Sequence, residues 1–96
     1  MQSVIVCSGV NGRCVVFGEC ATEPVPGESA VLRNARMVLY WPAECGGLFG
    51  LAAKGPREGL RLTETVDTTA TEVVRQWLSV SDEAAKGLQS WPACSD

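Results

Sequence analysis

The chain has 96 residues, of which 46% are hydrophobic and 20% charged, a composition that indicates one globular domain over residues 1–96 rather than a disordered segment. Eleven acidic and eight basic residues give a net charge of −3, which argues against binding of duplex nucleic acid, because duplex-binding surfaces neutralise phosphates with Lys and Arg. No run approaches the roughly 18 apolar residues of a membrane-spanning helix, and residues 1–6 lack the basic start of a signal peptide, so we expect a cytoplasmic protein without membrane contact.

Two short runs rich in β-branched residues open the chain. Residues 4–7 and 14–17 predict two strands, the second extending to about Cys20. The dipeptide Asn11-Gly12 lies between them and tolerates positive φ at both positions, so it predicts a type I′ hairpin turn. Two prolines and a glycine within residues 23–28 predict a further turn.

The middle of the chain predicts strands and one helix. Residues 29–35 alternate in polarity and predict a strand with one polar face, followed by residues 36–41. The continuous apolar run over residues 37–41 predicts a strand buried on both faces. Within residues 44–56, apolar side chains at helical spacing predict a short helix that ends at Gly55-Pro56.

The last third of the chain predicts two strands and one helix. Residues 60–63 alternate cleanly and predict a strand, whereas residues 71–80 fit both a helical stripe and a strand, with strand favoured. Residues 81–88 predict a short helix capped by Ser81, and we expect Trp91 to hold the end of the chain to the body. These elements predict a small α+β fold with five or six mostly antiparallel strands, as a twisted sheet or a partly closed barrel, and one or two short helices.

The side-chain inventory argues against catalysis. The chain has no histidine, which removes the usual general base, the usual activator of Ser and Cys nucleophiles, and the commonest metal ligand. Its five cysteines are odd in number and none form a C-x-x-C pair, so they predict neither a zinc site nor a disulfide scaffold. We expect reduced thiols, several of them small core hydrophobes, and a protein with no catalytic residue, metal or cofactor.

One resemblance adds to these predictions. Residues 31–41 (VLRNARMVLYW), the following Gly46-Gly47-Leu48-x-x-Leu51-Ala52 pattern, and the stretch from residue 73 to a late Trp resemble a family of short phage and prophage proteins of unknown function. The likeness covers about two thirds of the chain, favours a strand at residues 71–80, and implies a phage-encoded accessory protein. By weaker analogy it suggests phage sponges, which are small oligomers that sequester the nucleotide second messengers of bacterial immunity without cleaving them.

A candidate ligand site follows residue 35. Tyr and Trp offer rings on which a base can stack, glycines let backbone N–H groups approach a phosphate, and nearby cations complete the set. Alternatively, the adjacent Tyr and Trp point to opposite faces of a strand, the glycines form a plain turn, and the arginines are solvated surface residues. The predicted ligand-binding residues are Arg36, Tyr40, Trp41, Gly46, Gly47 and Lys54.

The functional hypothesis is a homo-oligomeric sponge in the host bacterial cytoplasm, with sites at or near subunit interfaces. Its ligand would be a cyclic nucleotide or an ADP-ribose derivative. The alternative is a phage structural or host-interaction protein, which would present a flat apolar patch to another protein.

Overall fold

The structure of the chain is a computed structural model that describes residues 1–94. It contains six strands and two α-helices, which confirms the predicted α+β class. Both α-helices are short, and no helix in this part of the chain is long and apolar enough to cross a membrane. The elements are β1 (Gln2–Ser8), β2 (Cys14–Cys20), β3 (Val31–Tyr40), a 3-10 turn (Ala43–Cys45), α1 (Gly47–Lys54), β4 (Arg61–Leu62), β5 (Val66–Ala70), β6 (Val74–Ser79) and α2 (Asp82–Ser90).

The six strands form one antiparallel sheet that is not closed. Their order is β4-β3-β2-β1-β6, and β5 pairs with β3 beside β4. Of the two predicted architectures, the structure therefore shows the open sheet, because β5 and β6 pair with different strands and not with each other. Backbone hydrogen bonds instead join the segment before β3 to the region where β5 leads into β6: Thr71 N–H donates to Ala30 O at 2.7 Å, and Val74 N–H donates to Glu28 O at 2.9 Å.

The predicted type I′ turn between β1 and β2 is wrong. Ser8 pairs with Cys14, so the connection spans residues 9–13 rather than the two residues of such a turn. The positive φ angles fall at Gly9 (88°) and Gly12 (64°), and Asn11 has none. The Asn-Gly dipeptide is therefore part of a wider loop, in which Gly12 N–H donates to Gly9 O at 3.1 Å.

Strand β3 corrects a second prediction. Residues 31–40 form one strand, in which Asn34 has a φ of 50° where the register against β2 slips. The predicted burial of residues 37–41 on both faces of the sheet is wrong, because Met37 and Leu39 are 40% and 50% exposed while Val38 between them is buried. The helices cover one face of the sheet, so alternate side chains of β3 remain in solvent on the other.

Each face of the sheet carries its own hydrophobic core. The helix-side core joins α1 and α2 to the sheet through Ile5, Cys7, Val15, Phe17, Val38, Cys45, Leu51, Ala52, Leu60, Leu62, Val80, Ala84, Ala85 and Leu88. The second core contains no helical residue and consists of Val4, Val6, Val16, Cys20, Ala30, Leu32, Ala35 and Val74. Successive side chains of β1 and β2 alternate between the two cores, as the period of two in a strand requires.

Most of the remaining element predictions are confirmed. Helix α1, strand β4 and strand β6 lie within the segments predicted for them, and strand β5 was not predicted. The Ser81 hydroxyl caps α2 by accepting a hydrogen bond from Ala84 N–H at 3.1 Å. Trp91 holds the end of the chain as expected, since its indole Nε1–H donates to Leu60 O at 2.9 Å.

The five cysteines are free thiols, and Cys7, Cys20 and Cys45 belong to the two cores, which confirms their predicted packing role. Cys14 and Cys94 are half-buried. Burial raises the pKa of the Cys7 and Cys20 thiols above their ordinary value of 9.0. The folded chain therefore keeps these protons at pH values where the unfolded chain releases them.

This difference predicts an alkaline loss of stability. The stabilisation is fully present below about pH 9 and falls as the pH rises toward the raised pKa values, by up to about 1.4 kcal/mol per pH unit for each thiol. Urea unfolding on both sides of that pH measures the slope, and Cys20→Ala should reduce it. An identical slope in wild type and Cys20→Ala would contradict the assignment for Cys20.

Candidate binding cleft

A cleft of about 750 Å³ opens on the helix-bearing side of the sheet. Its floor is a cross-strand row: Cys7 of β1 lies opposite Gln76 of β6 and Val15 of β2, and Val38 of β3 lies next to Val15. Cys7, Val15 and Val38 are all at least nine-tenths buried. The floor is therefore apolar and belongs to the rigid packing of the helix-side core.

Three walls surround this floor. The β1–β2 loop contributes residues 10–13, the end of β3 and the start of α1 contribute Trp41 and Leu48, and β6 contributes Arg75 and Gln76. Trp41 and Leu48 are half-buried and also pack against the helix-side core. One wall thus presents an aromatic ring, while the other two present guanidinium and amide groups.

The charge of the cleft differs from that of the whole chain. Arg13 and Arg75 line it, and no Asp or Glu is among its lining residues, although acidic residues outnumber basic ones by eleven to eight in the sequence. Four smaller clefts each include at least one carboxylate, for example Glu23, Glu64 or Glu72. The large cleft therefore favours an anion more than these other concave surfaces do.

The two arginines are held differently. Arg75 Nε donates to Gly9 O at 3.1 Å, which ties the β6 side of the cleft to the start of the β1–β2 loop. Gly9 N–H in turn donates to Val73 O at 3.0 Å, so Gly9 is attached both to β6 and to the residue before it. Arg13 is exposed at the far end of the same loop and can reach a ligand from the opposite side.

Of the predicted ligand-binding residues, Trp41 lines the large cleft and the others do not. Tyr40 is 54% exposed and pairs with Arg61 of β4, away from the cleft lining. Trp41 and Tyr40 thus face different environments, as the alternative interpretation of adjacent strand residues expects. Of this pair, Trp41 is the residue whose ring lies where it can stack against a base in the cleft.

Arg36 is structural in this arrangement. It is 3% exposed, and its Nη1 donates to Leu88 O at 2.7 Å and Trp91 O at 2.6 Å, while its Nε donates to Thr63 O at 2.9 Å. Burial lowers the pKa of this guanidinium, and the Glu64 carboxylate acts in the opposite direction. The side chain caps the end of α2 and fixes the tail, because its Nε and Nη1 groups donate to backbone carbonyls.

Gly46 is the N-cap of α1, and Gly47 and Lys54 are its first and last residues. Gly46 and Gly47 have φ angles of 80° and 74°, a left-handed conformation that L side chains rarely adopt, and they turn the chain from the 3-10 segment into the helix. Lys54 is exposed in the last turn, separated from Gly47 by a helix length of about 10 Å. Lys54 is not among the residues that line the cleft with Trp41.

Sequence reasoning missed the cations of the cleft. Arg13 and Arg75 lie far apart in the chain and line the same cleft because β6 pairs with β1 next to the β1–β2 loop. No motif or spacing marks such a pair, because the pairing of distant strands creates it. Residues 1–94 also contain no cluster of three or more His, Cys, Asp or Glu side chains that could hold a metal ion.

Fold and cleft together define a small α+β protein with a large, cation-lined cleft on the helix-bearing face of an open sheet. The chain belongs to the family described as Domain of unknown function (DUF6948), whose model matches residues 1–88. No curated protein and no solved structure matches the chain significantly. The description of the family names neither a source nor a ligand.

Proposed function

We propose that this protein is a phage-encoded sponge, which binds a nucleotide-type anion in the large cleft and holds it unchanged. The observation that carries the proposal is the juxtaposition of the Trp41 ring with Arg13 and Arg75 in a cleft lined by no carboxylate. The cleft volume lies within the range of small-molecule sites, about 300–1,000 Å³. The phage origin and the immune signal are inferred from the sequence resemblance, to which the cleft adds the chemistry of the ligand.

Each wall matches one part of a nucleotide. The ring of Trp41 stacks a base, which contributes about 1–3 kcal/mol in comparable sites. Arg13 and Arg75 bind phosphate oxygens through paired N–H donors. The side-chain amides of Asn11 and Gln76 both donate and accept, so they hydrogen-bond to the edge of a base or to a ribose hydroxyl.

The same lining supports sequestration rather than turnover. Apart from the two arginines, Cys7 is the ionisable group among the lining residues, and burial raises the pKa of its thiol. A thiol in that environment is a weak nucleophile, since the thiolate is the reactive form. Ligand binding without cleavage therefore suits the side chains of the cleft.

The proposal is tested with a thermal-shift panel of cyclic di- and trinucleotides, ADP-ribose derivatives and plain nucleotides. A ligand held at about 100 times its dissociation constant adds roughly 2.7 kcal/mol of stability, which is a shift of many degrees in a domain of this size. For the ligand that responds, Arg13→Ala should weaken binding about tenfold to a hundredfold, because one charge-assisted contact to phosphate is lost. Chromatography after incubation should recover the ligand intact.

Arg57→Ala is the matched control, because Arg57 is an exposed arginine outside the cleft lining. It should leave binding unchanged. A panel without any response, or equal losses in Arg13→Ala and Arg57→Ala, would remove the support for a nucleotide site. Cleavage of the bound ligand would overturn sequestration alone.

A protein-binding role is the second candidate. Met37 and Val66 are 40% and 50% exposed, and they share one concave surface beside the pairing of β3 with β5. If no small molecule in the panel stabilises the chain, protein binding at this surface becomes the favoured function, because exposed apolar patches mark interaction sites.

A further inference from the structure

Strand β6 forms an edge of the sheet, and part of its backbone faces outward. Val80 N–H donates to Ser3 O at 3.0 Å, so the β1–β6 ladder is hydrogen-bonded at this pair. Bonded and non-bonded pairs alternate in an antiparallel ladder. Because Val4 lies opposite Ser79 and Val6 opposite Trp77, these are the non-bonded pairs. The N–H and C=O groups of Trp77 and Ser79 therefore point away from β1.

These outward groups have no backbone partner within residues 1–94. Earlier along the same edge, Val74 is covered, since its N–H donates to Glu28 O at 2.9 Å and its C=O accepts from Gly27 N–H at 2.8 Å. At the opposite edge, β4 is also covered, because Leu62 O accepts from Cys94 N–H at 2.8 Å. The exposed part of the β6 edge is thus short and sharply defined.

This part of the edge lacks the usual protection. Natural edge strands carry charged side chains, prolines or bulges that prevent pairing with another strand. Residues 76–79 (Gln-Trp-Leu-Ser) contain neither a charge nor a proline, and a register irregularity lies only before them, at Arg75. Trp77 and Leu78 are half-buried on opposite faces of the sheet, so each has apolar surface left to cover.

We propose that β6 pairs antiparallel with β6 of a second copy of this chain, with Leu78 on the twofold axis. In this register Trp77 lies opposite Ser79 of the second copy, and the reverse pair follows by symmetry. All outward N–H and C=O groups of both residues then form hydrogen bonds across the axis. Leu78 meets its own copy in a non-bonded pair, where side chains approach most closely.

Charge complementarity favours a second copy over an unrelated strand. Continuing the same register places Arg75 opposite Ser81 of the second copy, next to Asp82 and Glu83 at the start of its α2. The twofold axis repeats this attraction on the other side. A chain of net charge −3 therefore meets its copy along an edge where the nearest charges have opposite signs.

The interface also borders the large cleft, because Arg75 and Gln76 of β6 form one of its walls. The pairing gives a structure to the homo-oligomer expected from the sequence, and it does not depend on the identity of the ligand. A dimer without nucleotide binding, or nucleotide binding by a monomer, would therefore separate the failure of one proposal from the failure of the other.

The test compares Ser79→Pro with Ser79→Ala in sedimentation velocity over a wide concentration range, with the fold of each variant verified by circular dichroism. Proline removes an N–H that bonds nothing within one chain, so the monomer keeps its ladder while the dimer loses two symmetry-related hydrogen bonds. Ser79→Pro should weaken dimerisation roughly tenfold to a hundredfold. Ser79→Ala retains the N–H and, like the proline variant, removes the hydroxyl that Gln2 Nε2 contacts at 3.4 Å, so it should dimerise as wild type does.

Amide hydrogen exchange locates the interface even if the proline variant is poorly folded. In the wild type, exchange at Trp77 and Ser79 should slow as the protein concentration rises into the dimer range. A wild-type chain that stays monomeric at every concentration would overturn the proposal. So would a dimer that Ser79→Pro does not weaken, or one in which these two amides exchange as fast as in the monomer.

Discussion

Arg36→Ala is expected to lower the free energy of unfolding by about 3–5 kcal/mol, the range for breaking a buried charged network. The guanidinium of Arg36 donates hydrogen bonds to Thr63 O, Leu88 O and Trp91 O at 2.6–2.9 Å. Alanine leaves these carbonyls without their donor and opens a cavity beneath the end of α2. Each unsatisfied buried acceptor costs about 1–3 kcal/mol, and water entering the cavity offsets part of that cost.

Urea denaturation at neutral pH measures this loss. Arg33→Ala is the matched control on the same strand, because Arg33 is exposed, and its effect should lie within about 0.5 kcal/mol. Arg36→Lys should lower the free energy of unfolding by an amount between those of Arg36→Ala and Arg33→Ala, since an ammonium keeps the charge but cannot reproduce the planar arrangement of donors. Equal effects of Arg36→Ala and Arg33→Ala would mean that the buried guanidinium contributes no net stability.

Arg36 shows where sequence reasoning reaches its limit. Its neighbourhood predicts a strand correctly, because alternation and β-branched content are local signals. Its partners Leu88 and Trp91 lie more than fifty positions later, and no local pattern indicates that α2 ends above β3. The sequence alone therefore predicts a phosphate ligand or a solvated side chain at this position, whereas in the fold the guanidinium caps a helix.

The cleft likewise combines one residue that the sequence predicts at a site with cations that it does not predict. Trp41 is a large aromatic residue at the end of an apolar run, and its predicted place at a site is compatible with the cleft that it lines. The predicted cations are near Trp41 in sequence, but Arg13 and Arg75 are the ones that line the cleft with it. Strand pairing between β1 and β6 decides that geometry, and single-sequence patterns do not show which distant strands pair.

The glycines around α1 also have a structural explanation that the sequence conceals. Gly46 and Gly47 provide left-handed turns, whereas Gly50 has ordinary helical geometry and is needed for a different reason. A Cβ atom at Gly50 would overlap Cys45 O and lie 2.8 Å from the carbonyl carbon of the same residue. Real Cβ atoms essentially never approach backbone atoms so closely, so the 3-10 turn and α1 fit together only when residue 50 lacks a side chain.

Gly50→Ala should therefore destabilise the protein by about 2–3 kcal/mol, the cost of forcing extra volume against packed backbone. This change in stability is opposite in sign to that at an unconstrained helical site, where replacing Gly by Ala stabilises the helix by up to about 1 kcal/mol. Ala53→Gly is the matched control in the same helix: Ala53 is exposed, and its replacement should cost only the ordinary propensity difference of about 1 kcal/mol.

Thermal and urea unfolding of both variants measure these two effects, and the tryptophan emission, to which Trp41, Trp77 and Trp91 all contribute, changes if the cleft wall moves. Displacing α1 from the 3-10 turn shifts Leu48 relative to Trp41, because Leu48 lies in the first turn of the helix. Gly50→Ala should thus change the tryptophan emission as well as the stability, while Ala53→Gly changes only the stability. A stabilised Gly50→Ala variant would show that the 3-10 turn moves aside at little cost, and the cleft wall would then be an adaptable element rather than a fixed one.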